Sequence, residues 1–303
     1  MSYVRLAHTC ASIERESALD AKGRGLSTRG AEPSERAGAP HAPQAPDRGD
    51  FVQSLARGLA AIRSFDADHP AQTLSDVARR AGLSRAAARR VLHTLAELGY
   101  ADTDGRLFRL RPKVLELGFS YLHGTGLWGA AQPYMVELVE RIHESCSAAV
   151  LDGPDIVYVA RVPTRTRIMS ISLGLGSRLP AHLTSMGRVL LAALDPKELD
   201  QRLAALGTAQ ARTERTLTDP DALRRAIGKA RAQGWAILDQ ELEPGLRSIA
   251  VPVRGAGGQV VAALNVGTQA SRVPLEDLRG RVLPALRDTA NAVSRALGAP
   301  CGD

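Results

Sequence analysis

"TLSDVARRAGLSRAAARRVLHTLAELGYADTDGRLFRL", residues 73–110, decides the fold. Thr73 with Asp76 three residues on has the form of a capping box, and Leu74, Val77, Ala78 and Ala81 recur at helical spacing. Gly82 suits the left-handed residue that ends such a helix after about two turns. Ser84 predicts a second helix at once, because its hydroxyl can accept the backbone N–H groups left free at the start of "RAAARRVLHTLAELG". Two short helices joined through a glycine make a helix-turn-helix. At about 100° per residue, Ala88, Val91, Leu92 and Leu95 share one side of the second helix, while Arg85, Arg89, Arg90 and His93 share another arc. After Gly99 the apolar period falls to two, and Asp104-Gly105 predicts a two-residue hairpin turn. That hairpin carries Arg106 and Arg109 and would be a wing.

A charged helix face alone is ordinary solvated surface, since arginine and alanine both favour helix. The coincidence of two caps, a glycine turn, a cationic arc and a hairpin, in the order a winged helix requires, points to double-stranded DNA. The second helix would enter the major groove, where Arg85, Arg89 or Arg90 can donate to guanine O6 and N7. Arg106 and Arg109 would lie nearer phosphates. Thr73 and Ser84, at helix N-termini, would help set register on the backbone. His93 is expected at a phosphate or in solvent, having no partner at metal-ligand spacing.

The bulk properties fit this reading. The 303 residues, 44% hydrophobic, suffice for two folded units. Lys and Arg number 39 against 32 Asp and Glu, and the excess is densest in residues 51–123, with 11 against 7. Cys10, Cys146 and Cys301 lie far apart, so neither a disulfide framework nor a zinc site is expected. No signal-peptide core or membrane-length apolar run occurs, which predicts a soluble cytoplasmic protein without membrane contact.

Outward from the helix-turn-helix, residues 1–50 are rich in Gly, Pro, Ala, Ser and charge without apolar periodicity, and are expected to form a disordered tail. "FVQSLARGLAAIRSF" places Phe51, Leu55, Leu59 and Ile62 at helical intervals. Pro112 opens an apolar helix interrupted by Gly124 and Gly126, expected to link two domains. The expected division is therefore a tail at 1–50, a winged helix-turn-helix at 51–111, a linker helix region at 112–130 and a second domain at 131–298. In that domain a helix over 135–145 precedes the β-rich runs "SAAVLD", "IVYVARV" and "IMSISL". Three helical patterns follow, then "WAILD", "RSIAVPVR" and "VVAALNVGT", and a terminal helix over 274–297. Hairpin-linked strands flanked by helices predict an antiparallel sheet of α+β class, of the kind found in sensor domains.

These pieces together, with "VYVARVPTRTRIMSI", "LPAHLTSMGRVLLAAL" and "EPGLRSIAVPVRGAGGQVVAALNVGT", resemble the IclR-type transcriptional regulators, most of all the Pca and Pob regulators of aromatic-acid catabolism. The resemblance runs from about Phe51 to the C-terminus. It implies a winged helix, a linker helix and a GAF-like effector domain that binds a small organic acid. It also implies homodimers formed largely through the DNA-binding parts and often paired into tetramers. By position, the resemblance implies a pocket lined by Ser185, Met186, Leu238, Ser248, Asn265 and Gly267. An aromatic or dicarboxylic acid would need an apolar wall, for which Leu175, Leu179, Met186 and Leu246 are candidates. It would also need donors, from Ser185, Ser248, Asn265 or one of Arg161, Arg165 and Arg167. Met186 and the leucines are as readily plain core, the arginines as readily surface, and Asp239 and Glu241 can orient loops as easily as touch ligand.

The competing class is a small-molecule-processing enzyme with an appended DNA-binding domain, built on Ser185 near His182 or on Asp239 with Glu241. No G-x-S-x-G elbow and no dinucleotide or phosphate-loop fingerprint supports it, so neither a catalytic residue nor a cofactor is expected.

Overall fold

The computed structural model describes residues 51–164 and 173–300. The expected tail, Arg165, Arg167 and nearly all of the "IMSISL" run lie outside the described residues.

The N-terminal part holds α1 (Gln53–Arg63), β1 (Ala71–Thr73), α2 (Leu74–Arg80), α3 (Arg85–Glu97), β2 (Ala101–Thr103) and β3 (Leu107–Leu110). Thr73 caps α2 in a full capping box with Asp76. Gly82, at φ +64°, turns the chain into α3, which Ser84 caps by accepting from the Ala87 N–H at 3.2 Å. Ala61, Val77, Leu92, Leu95 and Phe108 form the small core beneath them. The strands make an antiparallel sheet in the order β1-β3-β2. Strand β1 has only three residues and no apolar alternation, so nothing in its sequence signals it; the buried Gln72 amide fixes it by donating to the Ser64 carbonyl at 3.0 Å.

The hairpin differs from the expected two-residue turn. Three residues, 104–106, connect β2 to β3, and only Gly105 takes a positive φ, of 91°. The Asp104 carboxylate accepts from the Arg106 and Leu107 N–H groups at 3.0 and 2.7 Å, bonds that hold the backbone out of the doubly left-handed turn.

A 3₁₀ turn at Pro112–Val114 leads into α4 (Leu115–Thr125), and Gly126, at φ +62°, separates it from α5 (Leu127–Ile142). Helix α5 starts earlier than the expected residue 135, because Leu127, Ala131, Met135, Leu138 and Ile142 form one buried stripe. The second part is a six-stranded antiparallel sheet in the order β6-β5-β4-β9-β8-β7. Its strands are β4 (Ser145–Asp152), β5 (Asp155–Val162), β6 (Arg178–Pro180), β7 (Ala236–Asp239), β8 (Leu246–Arg254) and β9 (Val260–Gln269). The three-residue β6 lies outside the expected β-rich runs. The intervening helices are α6 (Ser185–Ala192), α7 (Pro196–Leu206) and α8 (Pro220–Gln233). The C-terminal helix comprises α9 (Leu275–Asp277), a π turn and α10 (Leu283–Ala296).

The sheet is buried on both faces. Ile249, Val251, Leu264 and Val266 point toward Met135 and Leu138 of α5 and Leu286 and Val293 of α10. Ile156, Ala250 and Ala263 face Met186 and Leu190 of α6 and Leu223 and Ile227 of α8. Each fully buried leucine or isoleucine contributes about 1.5–3 kcal/mol relative to exposure. Helix α6 rests directly on the 3₁₀ turn Ala181–Leu183: a Cβ on Gly187 would lie 1.9 Å from the Ala181 carbonyl oxygen, so only glycine fits.

Candidate DNA-facing helix and ligand pocket

Helix α3 buries Ala87, Ala88, Leu92 and Leu95 and leaves Arg85, Arg89, Arg90 and His93 exposed. Among the described residues no carboxylate pairs with these three arginines. The contrast with α2 is direct, since Arg79 pairs with Asp76 and Arg80 with Asp66. His93 meets the Phe108 ring edge-on at 5.9 Å and so braces α3 against β3. In the hairpin Arg106 is exposed, whereas Arg109 pairs with Asp104 at 3.3 Å. The backbone N–H groups of Leu107 and Arg106, with Arg109 adding to them, hold the Asp104 carboxyl down at about 2. The side chains of Thr73 and Ser84 are both committed to their own helices.

The pocket follows from strand register. Ser147 on β4 lies opposite Arg161 on β5 and Asn265 on β9. One row along, Ser145 lies opposite Gly267, Gly267 opposite Ser248, and Ser248 opposite Leu238. Side chains of one strand face alternate, so these two rows present one polar floor. Leu183 from the 3₁₀ turn, Thr184 and Ser185 at the start of α6, and Glu241 and Leu242 from the loop after β7 border it. Together they leave a small, partly open cavity of ≈ 40 Å³.

Ser185 Oγ and Asn265 Oδ1 are buried there with no hydrogen-bond partner among the described residues. Native interiors satisfy nearly all such atoms, so two in one cavity mark a place for a polar guest. Arg161 donates to Ser147 Oγ at 3.4 Å and has no carboxylate partner among the described residues. Burial pushes the Tyr158 hydroxyl up to about 12, so it stays a neutral donor. A cation, hydroxyls and an amide around one small cavity suit a carboxylate.

The acidic groups nearby are already engaged. Arg188 and Glu241 form a buried two-pronged ion pair, with Nη1 to Oε1 at 2.9 Å, and Arg188 Nε donates to the His182 carbonyl at 3.3 Å. Asp239 accepts from Arg247 at 2.7 Å and Arg215 at 2.5 Å; burial opposes its ionisation, but the Arg247 hydrogen bond and charge outweigh that and lower its pKa. These two carboxylates therefore shape the loop after β7.

Of the residues expected around a ligand, Ser185, Leu238, Ser248, Asn265 and Gly267 come together in this cavity. Met186 does not: it is fully buried between α6 and the sheet, one helical step round from Ser185. Leu246 lines the cavity, Leu179 packs into the core and Leu175 is half exposed. Ser145, Ser147, Tyr158 and Thr184 also line it and escape the sequence reading. The alternation in "SCSAAV" carries the signal for two of them, since Ser145 and Ser147 take one face while Cys146 and Ala148 take the buried other. The Ser185 hydroxyl and the His182 imidazole make no hydrogen bond to each other, which removes the nucleophile-base pair of the enzyme alternative. Among the described residues no cluster of His, Cys, Asp or Glu could hold a metal, and no helix is long and apolar enough to cross a membrane.

Residues 54–105 match the family model of the IclR helix-turn-helix domain, and residues 119–295 that of the bacterial transcriptional regulator IclR C-terminal domain. The chain is 51% identical over 237 residues to the Pca regulon regulatory protein of Pseudomonas putida, covering 78% of this chain and 81% of that one. A crystal structure of a transcriptional regulator from Rhodococcus sp. RHA1 is 54% identical, with a TM-score of 0.75, over 82% of this chain and 98% of the other. An IclR homolog from Microbacterium hydrocarbonoxydans, crystallised with 4-hydroxybenzoate, is 28% identical with a TM-score of 0.71, over 81% and 99% of the two chains.

Proposed function

The chain belongs to the IclR family of bacterial transcriptional regulators, and from that premise we propose that it controls genes of aromatic-acid catabolism in response to a small organic acid. The observation that carries this is the pocket in which two buried polar atoms, Ser185 Oγ and Asn265 Oδ1, have no partner among the described residues, beside the Arg161 guanidinium, which no described carboxylate neutralises. The acid, aromatic or dicarboxylic, places a carboxylate near Arg161 and Ser147, with Ser185, Ser248 and Asn265 fixing its orientation and Leu238 and Gly267 shaping the wall. The likeness to the Pseudomonas Pca regulator and to the 4-hydroxybenzoate-bound homolog supports this class of effector. The family consists of transcriptional regulators, which decides against the enzyme alternative.

On the DNA side, residues 51–111 bind a roughly palindromic operator in the cytoplasm, with α3 in the major groove. Arg85, Arg89 and Arg90 reach bases or phosphates, while His93, Arg106, Arg109 and the helix N-termini that Thr73 and Ser84 cap set register along the backbone. Two such heads, spaced by about 34 Å or a multiple of it, require at least a homodimer. The exposed apolar side chains Phe51, Leu55 and Leu59 before and on α1, and Leu115 and Leu117 on α4, are the surfaces that would pair, as a dimer or a dimer of dimers. Residues 112–130 relay effector binding from residues 131–298 to the heads, which needs unequal affinity for two dimer arrangements.

Calorimetric titration of 4-hydroxybenzoate, protocatechuate and β-ketoadipate into the full chain tests the effector assignment. Binding of one of them that Ser248→Leu abolishes is the expected result; no binding by any of the three refutes the assignment to aromatic catabolism.

A further inference from the structure

His182 stands in the turn that roofs the ligand pocket, yet it lines a different cavity. The turn Ala181–Leu183 separates two cavities: Leu183 borders the first, while His182 borders a second, open one of ≈ 500 Å³. Leu191 of α6, Leu203 and Leu206 of α7, Ala181, and Pro154 of the β4–β5 turn make the walls of the second cavity apolar. That volume lies within the range of small-molecule sites.

The polar content of this cavity differs in kind from that of the first. His182 is only 9% exposed and its ring has no hydrogen-bond partner among the described residues, although its backbone carbonyl accepts from Arg188. Burial, with Arg188 and Arg212 near by, holds the imidazole below the ordinary histidine value, so it is neutral at pH 7. Arg202, the other polar lining residue, is already satisfied by Glu198 at 2.8 Å and by the Gly153 carbonyl. With its one guanidinium thus engaged, the cavity offers a carboxylate nothing that water does not, whereas a neutral ring hydroxyl would satisfy the idle imidazole.

We propose that this second cavity is a binding site for a neutral single-ring phenol, with the ring between Leu191, Leu203 and Leu206 and the hydroxyl on His182. The site is distinct from the acid pocket and shares one wall with it. Gly187 seats α6 directly against the Ala181 carbonyl, so the 181–183 turn cannot shift without moving the start of α6. There Thr184 joins the turn to the helix and caps it by accepting from the Gly187 N–H at 3.0 Å, and the next residue, Ser185, lines the acid pocket. Occupancy of either site therefore bears on the other, and to the same extent in both directions.

Titration of 4-fluorophenol into the full-length protein, followed by ¹⁹F NMR, tests the proposal with three variants. Ala205→Trp narrows the cavity mouth from an exposed position and should weaken binding by at least about tenfold, the scale of a lost apolar pocket contact. His182→Phe should weaken it by about three- to tenfold, the worth of one neutral hydrogen bond. Ser248→Leu, which fills the acid pocket, should leave saturable binding in place, altered only through the shared turn. No saturable binding, binding indifferent to Ala205→Trp, or binding lost in Ser248→Leu each overturns the proposal. A change of oligomeric mass in Ala205→Trp without any effect on the phenol would assign the cavity to a second copy of the chain, and overturns it equally.

Discussion

Helix α3 and the acid pocket both hold arginine without a carboxylate partner among the described residues, and they do so by opposite means. On α3 the guanidinium groups of Arg85, Arg89 and Arg90 stand in solvent, where hydration makes an unpaired charge cheap and a long polyanion can reach all three. In the pocket Arg161 is partly buried beside Ser147, near Ser185 Oγ and Asn265 Oδ1, which have no partner among the described residues, so the site suits a small guest that brings its own charge. Around both, many other arginines are already spent: Arg80 on Asp66, Arg188 on Glu241, Arg247 on Asp239 and Arg272 on Glu144. In this chain an arginine is informative where its charge is left uncompensated, and the surroundings then tell which kind of anion it awaits.

The largest expected effect comes from emptying the α3 face. Replacing Arg85, Arg89 and Arg90 together by alanine should lower operator affinity by more than about a hundredfold, at about 1–3 kcal/mol for each base-reading contact. Acid binding should be unchanged in the same protein. Equal loss of both would mean that the two regions do not work separately. The complementary variant, Arg161→Met, should weaken acid binding by roughly 10–150-fold, the worth of a charge-assisted hydrogen bond at about 1.5–3 kcal/mol. Operator affinity without effector should stay as it was, measured by fluorescence anisotropy on the same duplex.

A smaller effect is expected in the hairpin. Asp104→Asn keeps an acceptor for the turn but removes the charge that occupies Arg109, so operator affinity should rise, by up to about fivefold. No change would place Arg109 away from the DNA. The smallest effect concerns pH. Because His182 has a lowered pKa in the folded chain, the unfolded chain binds the proton more readily once pH falls through about 6.5, and stability drops with it. Thermal melts between about pH 7.5 and 5.5 should therefore show a shallower decline in His182→Phe than in the parent protein.

The helix-turn-helix was legible because its signals are local: Thr73, Gly82 and Ser84 act on backbone within a few residues of themselves, and the α3 arc follows from helical periodicity alone. The hairpin was legible in place but not in form, since the Asp104 carboxylate bonds to two following N–H groups and selects a three-residue connection. Strand β1 exists through its pairing with β3, a tertiary contact that "AQT" does not announce. The pocket was half legible. Resemblance supplied Ser185, Leu238, Ser248, Asn265 and Gly267, and Arg161 was one of three candidate donors, while Ser145 and Ser147 join them only through the β5-β4-β9 register. Met186 went astray because one step along a helix turns a side chain by about 100°, from cavity to core.

The central claim, that the uncompensated guanidinium groups of α3 meet the DNA backbone and bases, is tested most directly by the salt dependence of operator binding in the parent protein and in the triple α3 variant. With roughly six phosphates neutralised, log K should fall with log salt at a slope of about −5, and the variant should lose about two or more units of that slope. A slope that is the same in both proteins would contradict the claim.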